Sequence, residues 1–326
     1  MVADRSVLVL GGTGLLGYHA VGEFLRRNWR VTVLALPTLP QERLFPPEVK
    51  TVLADFSQLT DTAATALLAG NRAAVFAAGA DDRTLPKRPA YEFFHRFNVE
   101  PASRFFGLAR RAGVGRGVLL SSYFAHFNSA RPDWRLAEHH PYIRSRVEQE
   151  AASFDAAGNE LQLLVLHLPY IFGAMPGRIP LWAPLLRYLR TMPVIFFPKG
   201  GTNAVAVEHV AEAIAGAAEG DAPAGRYVVG DENLTWRELL GRLLQAMNRH
   251  NPIVTAPDFL LSPVLWLAKL VHRLQGRESG LDPVEFLKVE TAETYLDTNT
   301  SRSALGYGSG GLDAAFAATV RACLRK

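Results

Sequence analysis

The sequence predicts an α/β fold, a doubly wound parallel sheet carrying a smaller, mainly helical C-terminal lobe. Three observations predict it: short continuous apolar runs alternate with longer stretches of helical period, a glycine cluster follows the first run, and prolines break the rhythm after about Pro169. At 326 residues the chain is long enough for one large body with a subsidiary lobe, since domains commonly span about 100–200 residues.

The strand-like runs are Val7–Leu10, Val31–Ala35, Thr51–Ala54, Ala74–Ala77, Val118–Ser121, Leu163–His167 and Tyr227–Val229. They are mostly continuous rather than alternating, as strands covered on both faces are. Helices are expected between them at about 14–27, 58–69, 93–112, 142–157 and 207–219. In the first, Leu16, Ala20, Phe24 and Arg27 recur at helical spacing. These elements place a doubly wound unit at 1–169, with 202–230 returning a helix and a strand to its sheet. A substrate-binding lobe follows at 170–326. Pro176, Pro180, Pro184, Pro193 and Pro198 punctuate its start, and helical segments are expected at 235–249 and 256–275.

Composition excludes several classes. Hydrophobic residues make up 48% and charged residues 20%, which argues against a disordered chain. Lys plus Arg exceed Asp plus Glu by 35 to 31, too slight an excess for a nucleic-acid surface. One cysteine, Cys323, permits no intrachain disulfide and no cysteine metal cluster. The longest apolar stretch, Phe259–Val271, is broken by Lys269 and falls short of the roughly 20 residues of a membrane span. No secretory signal is recognised before the first strand, and a cytoplasmic location is expected.

The strongest motif is Gly11-Gly12-Thr13-Gly14-Leu15-Leu16-Gly17, between the first strand and the first helix. Glycines at 11, 14 and 17 permit a tight turn, a close approach of backbone to pyrophosphate, and close packing of helix on strand. The helix N-terminus offers free amides and a positive dipole end to the phosphates.

This spacing resembles the extended short-chain dehydrogenases/reductases, the NAD-dependent epimerase/dehydratase-like branch with a Rossmann-type sheet. Later segments carry the same resemblance. They are Asp55-Phe56, Ala77-Ala78-Gly79, Asn98-Val99, Leu120-Ser121-Ser122, Tyr142-x-x-x-Arg146, Leu168-Pro169-Tyr170-Ile171-Phe172-Gly173 and Val205–Ala211. The terminal segment from Asp297 to Leu305-Gly306-Tyr307 adds to it. The resemblance implies that Gly11, Thr13, Gly14, Leu15, Leu16, Gly17, Asp55, Phe56, Ala77, Ala78, Gly79, Asn98, Tyr142, Arg146, Pro169 and Ile171 contact NADP or NAD. It also implies Ser122 as carbonyl polariser and Tyr142 as acid/base, with Ser121 as the alternative serine. A tyrosine can move this proton if a nearby cation favours its phenolate.

Two departures stand out. The family lysine four residues after the tyrosine is Arg146, which shares a helix face with Tyr142 but lacks an ammonium's compact geometry. A salt bridge with Glu150 is its structural alternative. The second strand ends Ala35-Leu36-Pro37, without the acid that would bind the adenosine ribose, which leans toward NADP; Arg43 is a distant candidate for a 2′-phosphate.

The function expected is an NAD(P)-dependent oxidoreductase acting on a carbonyl or secondary alcohol of a fairly hydrophobic small molecule. A nucleotide-sugar epimerase or dehydratase is the enzymatic alternative, with Arg178, Arg187 and Arg190 as candidate pyrophosphate cations. A non-catalytic dinucleotide sensor or scaffold is the other. A homodimer is expected only from the resemblance. No metal site is expected: His139 and His140 adjoin Glu138 without a third ligand. His126 and His167 are read as a loop histidine and a structural hydrogen-bonding residue. Trp182, Tyr188, Phe196 and Phe197 are read as core or pocket lining, and Phe259–Val271 as a pocket cover.

Overall fold

The computed structural model describes residues 5–324. Seven strands form the main sheet: Ser6–Leu10 (β1), Arg30–Ala35 (β2), Lys50–Leu53 (β3), Ala73–Phe76 (β4), Arg116–Ser122 (β5), Gln162–Leu168 (β6) and Gly225–Val228 (β7). Their order is β7-β6-β5-β4-β1-β2-β3, and every pairing is parallel. These are the seven expected runs, with ends shifted by a residue or two. The order reverses between β1 and β4, so a crevice opens at the carboxyl ends of those two strands.

All five residues of β1 are buried because the strand is covered on both faces. Val7 and Val9 join Ala20 and Phe24 of the helix Leu15–Arg26 (α1), and Ala213 and Ile214 of the helix Val207–Glu219 (α4). Leu8 and Leu10 face the other way, onto Phe105 and Phe106 of the helix Glu100–Arg111 (α2). The helix Pro141–Ala157 (α3) lies beside α2. Proline starts α3 at its first position, where the missing N–H costs nothing.

The expected helix at 93–112 is interrupted. Ala90–Phe94 leads into a single π-helical turn, His95–Val99, before α2 begins. Sequence periodicity does not reveal that extra residue, and Asn98 sits within it.

The lobe holds a second sheet, in which Gly201–Ala206 pairs with Glu232–Thr235, Glu293–Thr294 and Tyr170–Phe172. The returning segment is therefore divided: Gly201–Ala206 belongs to this sheet, while α4 and β7 join the main one. Trp182 stacks on Phe172 at 4.5 Å between ring centres and serves the lobe core.

The apolar segment becomes the helix Asp258–Leu274 (α5). Its Phe259, Val264, Trp266, Leu267, Leu270, Val271 and Leu274 side chains are exposed. At 100° per residue they form one stripe facing solvent, so this apolar face covers no pocket. Leu261, Leu265, Ala268 and His272 are half-buried on the opposite side.

Candidate active site

The glycine loop takes the form its residues require. Gly11 has φ +88°, and a Cβ on it would stand 2.5 Å from the Ala77 carbonyl oxygen. A Cβ on Gly17 would collide with the Gly11 carbonyl oxygen. The loop thus seats α1 directly on the ends of β1 and β4. Gly14 caps α1 without a side-chain hydrogen bond, which leaves the first-turn amides, beginning with Leu15 and Leu16, to an anion.

A cleft of about 830 Å³ extends over this crevice. Gly11, Thr13 and Gly14 line its centre; Asp55 and Phe56 line one end, and Ala77, Ala78 and Gly79 the other. Asp55 accepts the Ser57 amide at 2.9 Å and shapes the turn that carries Phe56. The cleft and its cradle fit an extended dinucleotide. Leu15, Leu16, Gly17, Asn98, Tyr142, Arg146, Pro169 and Ile171, expected at the cofactor, do not line it, nor does Ser122; Ile171 pairs with Val205 and packs on the core.

Beyond Gly79, the π turn fixes a hydrogen-bonded chain. Asn98 accepts the Ala80 amide at 2.8 Å through its side chain. Its own carbonyl accepts from Gln149 Nε2 at 2.9 Å. Gln149 Oε1 in turn accepts from Arg146 Nη1 at 2.7 Å, and Arg146 Nη2 donates to the Leu120 carbonyl at 3.2 Å. Arg146 Nε is buried and has no partner among the described residues. The expected alternative, an Arg146–Glu150 salt bridge, is absent. Glu150 is buried and accepts from Ser121 at 2.6 Å and Arg226 at 2.8 Å, with His167 Nε2 at 2.9 Å. Ser121 is thereby committed to that network, and Ser122 is the serine that faces Tyr142.

Tyr142 is 6% exposed, with the Arg146 guanidinium carbon 5.6 Å from its ring centre. Burial pushes its phenol above the ordinary tyrosine value; Arg146 and the Ser122 hydroxyl oppose this, while Asp82 and Asp81 reinforce it. The phenol is therefore protonated at rest near neutral pH.

Sequence reasoning passed over a second polar group on the lobe side. Tyr170 donates to Glu290 Oε1 at 3.3 Å, and the Tyr123 and Thr202 hydroxyls are 3.0 Å apart. Asp82 acts electrostatically on Tyr123, Tyr142, Tyr170 and Glu290. Burial raises the Asp82 carboxyl and pushes Glu290 up to about 7. Asp82, Tyr170 and Glu290 keep partial exposure, so the group meets solvent. The adjacency of Asp81-Asp82 to Gly79-Ala80, and of Tyr123 to Ser122, was the available signal.

The histidines divide. His140 is buried, accepts the Asp282 amide at 3.0 Å, and is pushed down to about 4 by burial. His126 belongs to the helix Tyr123–Ala130 rather than a loop. No group of three metal-ligating side chains occurs among the described residues.

A model of the NAD dependent epimerase/dehydratase family matches residues 7–230. No curated protein matches the sequence. Among solved structures, gox2253 is similar with a TM-score of 0.77 and 20% identity, covering 97% of each chain. MoeE5 in complex with UDP-glucuronic acid and NAD gives 0.68 at 18% identity, covering 97% of this chain and 98% of that one. A UDP-N-acetylglucosamine 4-epimerase from Bacillus cereus gives 0.68 at 13% identity, covering 98% and 100%. At these identities the neighbours establish the fold.

Proposed function

Because the chain belongs to the NAD dependent epimerase/dehydratase family, we propose that it binds an NAD(P)-type dinucleotide and exchanges a hydride with an alcohol or carbonyl carbon of a nucleotide sugar. One observation carries the reading: Ser122, Tyr142 and Arg146 come together behind Gly79, which lines the cleft built on the glycine loop; a Cβ on Gly79 would stand 3.8 Å from Arg146 Nη1. The dinucleotide, when bound, supplies the hydride acceptor or donor. Tyr142 moves the matching proton at the substrate oxygen, and Ser122 holds that oxygen. Arg146 stabilises the phenolate.

A nucleotide sugar is the alternative of the sequence reading, taken here in place of the fairly hydrophobic carbonyl or secondary alcohol that the apolar lobe led us to expect. Asp82, Tyr170 and Glu290 are partly exposed hydrogen-bonding groups suited to a hydroxyl-rich ligand. MoeE5, similar in fold, is described with UDP-glucuronic acid and NAD. NMR analysis of the purified protein, given cofactor and separate panels of UDP-sugars and apolar ketones, tests this. Conversion of a nucleotide sugar is the result expected. Turnover confined to the ketones would return the reductase reading, and cofactor binding with no turnover would favour a sensor.

A further inference from the structure

The segment after Gly173 straps the lobe across the glycine loop. The Ala174 carbonyl oxygen lies 2.9 Å from His19 Nε2 of α1. The Gly177 backbone packs directly on Pro40, in the loop after β2, leaving no room for a Cβ. Between these contacts Arg178 donates from Nε to the Thr13 carbonyl at 2.9 Å. Its two terminal nitrogens have no acceptor among the described residues, and it lines the cleft together with Leu36 and Thr38.

That location is the adenosine-ribose side of a dinucleotide laid from Asp55 to Gly79. An acid at the end of β2 would bind a free ribose diol; the position is Leu36, 63% exposed. A cation at position 12 is excluded as well, because a Cβ on Gly12 would stand 2.7 Å from the Val33 side chain. Two other arginines line the cleft: Arg96, in the π turn whose Asn98 holds the Ala80 amide beyond Gly79, and Arg104, which is occupied. Arg104 donates to Asp61 and to the carbonyls of Phe56 and Leu59. Arg43 does not line the cleft.

We propose that Arg178, delivered by the lobe, is the receptor for a 2′-phosphate, so that the protein selects NADP(H) over NAD(H). The guanidinium is already oriented by Thr13 and presents its outer edge for a two-point contact with a phosphate, which a freely rotating lysine would not. The proposal rests on dinucleotide binding in this cleft but not on the nature of the substrate.

Titration calorimetry with 2′-phospho-ADP-ribose and ADP-ribose tests it without any turnover. Wild type should bind the 2′-phosphorylated ligand more tightly, by about 10- to 100-fold, as a charge-assisted hydrogen-bonded pair is worth. Arg178→Ala should abolish that preference while changing ADP-ribose affinity less than about twofold, and Arg178→Lys should keep part of it. Equal weakening of both ligands in Arg178→Ala would assign the side chain to the pyrophosphate or to strap packing and overturn the proposal. Equal affinity of wild type for the two ligands would overturn it too. Binding of neither would remove the dinucleotide reading along with it. An unchanged melting temperature in Arg178→Lys separates these outcomes from misfolding.

Discussion

At the scale of single residues, the site is a competition over one proton. Burial and the Asp82 and Asp81 carboxylates keep the Tyr142 phenol protonated; Arg146 and Ser122 pull the other way. Burial holds the phenol above the ordinary tyrosine range, so the oxidative direction, which needs phenolate, should keep accelerating as pH rises through the alkaline range. A rate profile that levels below pH 8 would place the proton elsewhere. Arg146→Met removes the opposing charge and the tie to Gln149, and should lower the turnover rate about 100-fold, as loss of a positioned acid/base does. Steady-state kinetics with cofactor binding measured separately checks this.

His140 gives a stability prediction of the same kind. Its folded pKa, about 4, lies below the ordinary histidine value, so the unfolded chain binds its proton first. The contribution is present above pH 6.5 and is lost as pH falls toward 4, by about 1.4 kcal/mol per pH unit. Asn at this position keeps a hydrogen-bonding side chain and removes the titration. Denaturant unfolding of His140→Asn should therefore show a flatter pH dependence across that window than wild type.

At the scale of elements, the glycine loop and α5 represent opposite extremes of tolerance. Gly17 lies against the Gly11 carbonyl, so Gly17→Ala must push α1 off β1. Overpacking of that kind costs about 1–3 kcal/mol, and dinucleotide affinity should fall with it. On α5, Trp266, Leu267 and Leu270 are exposed. Replacing all three by serine should move unfolding free energy by roughly 0.5 kcal/mol or less per site, the usual range for a surface substitution. A large loss would mean that this stripe is buried in solution, against another copy or another surface.

Legibility also varied by element. The main-sheet strands were readable because burial on both faces leaves continuous apolar runs, and the glycine loop because φ and close contact dictate glycine at Gly11 and Gly17. The π turn at His95–Val99 was not, since it adds one residue without altering hydrophobic period. Nor was the electrostatic coupling of Asp82 to Glu290 readable, since 208 positions separate them. Arg146 was legible as a departure, but its partners Gln149 and the Leu120 carbonyl follow from packing of α3 on β5.

At the scale of the molecule, the cleft is built on the main sheet, while Tyr170 and Glu290 come from the segment after Pro169. The strap through Arg178 joins the two at the glycine loop. Cofactor and substrate affinities should consequently be coupled, each ligand tightening the other by the same factor. In the proposed reaction Tyr142 moves a proton in concert with hydride exchange. A single-turnover reaction with isotopically labelled reduced dinucleotide and the keto form of a nucleotide sugar, run on wild type and Tyr142→Phe, tests it most directly. Label should reach the sugar carbon in wild type and fail to do so in Tyr142→Phe, with dinucleotide affinity unchanged. Equal transfer by both proteins would contradict the assignment.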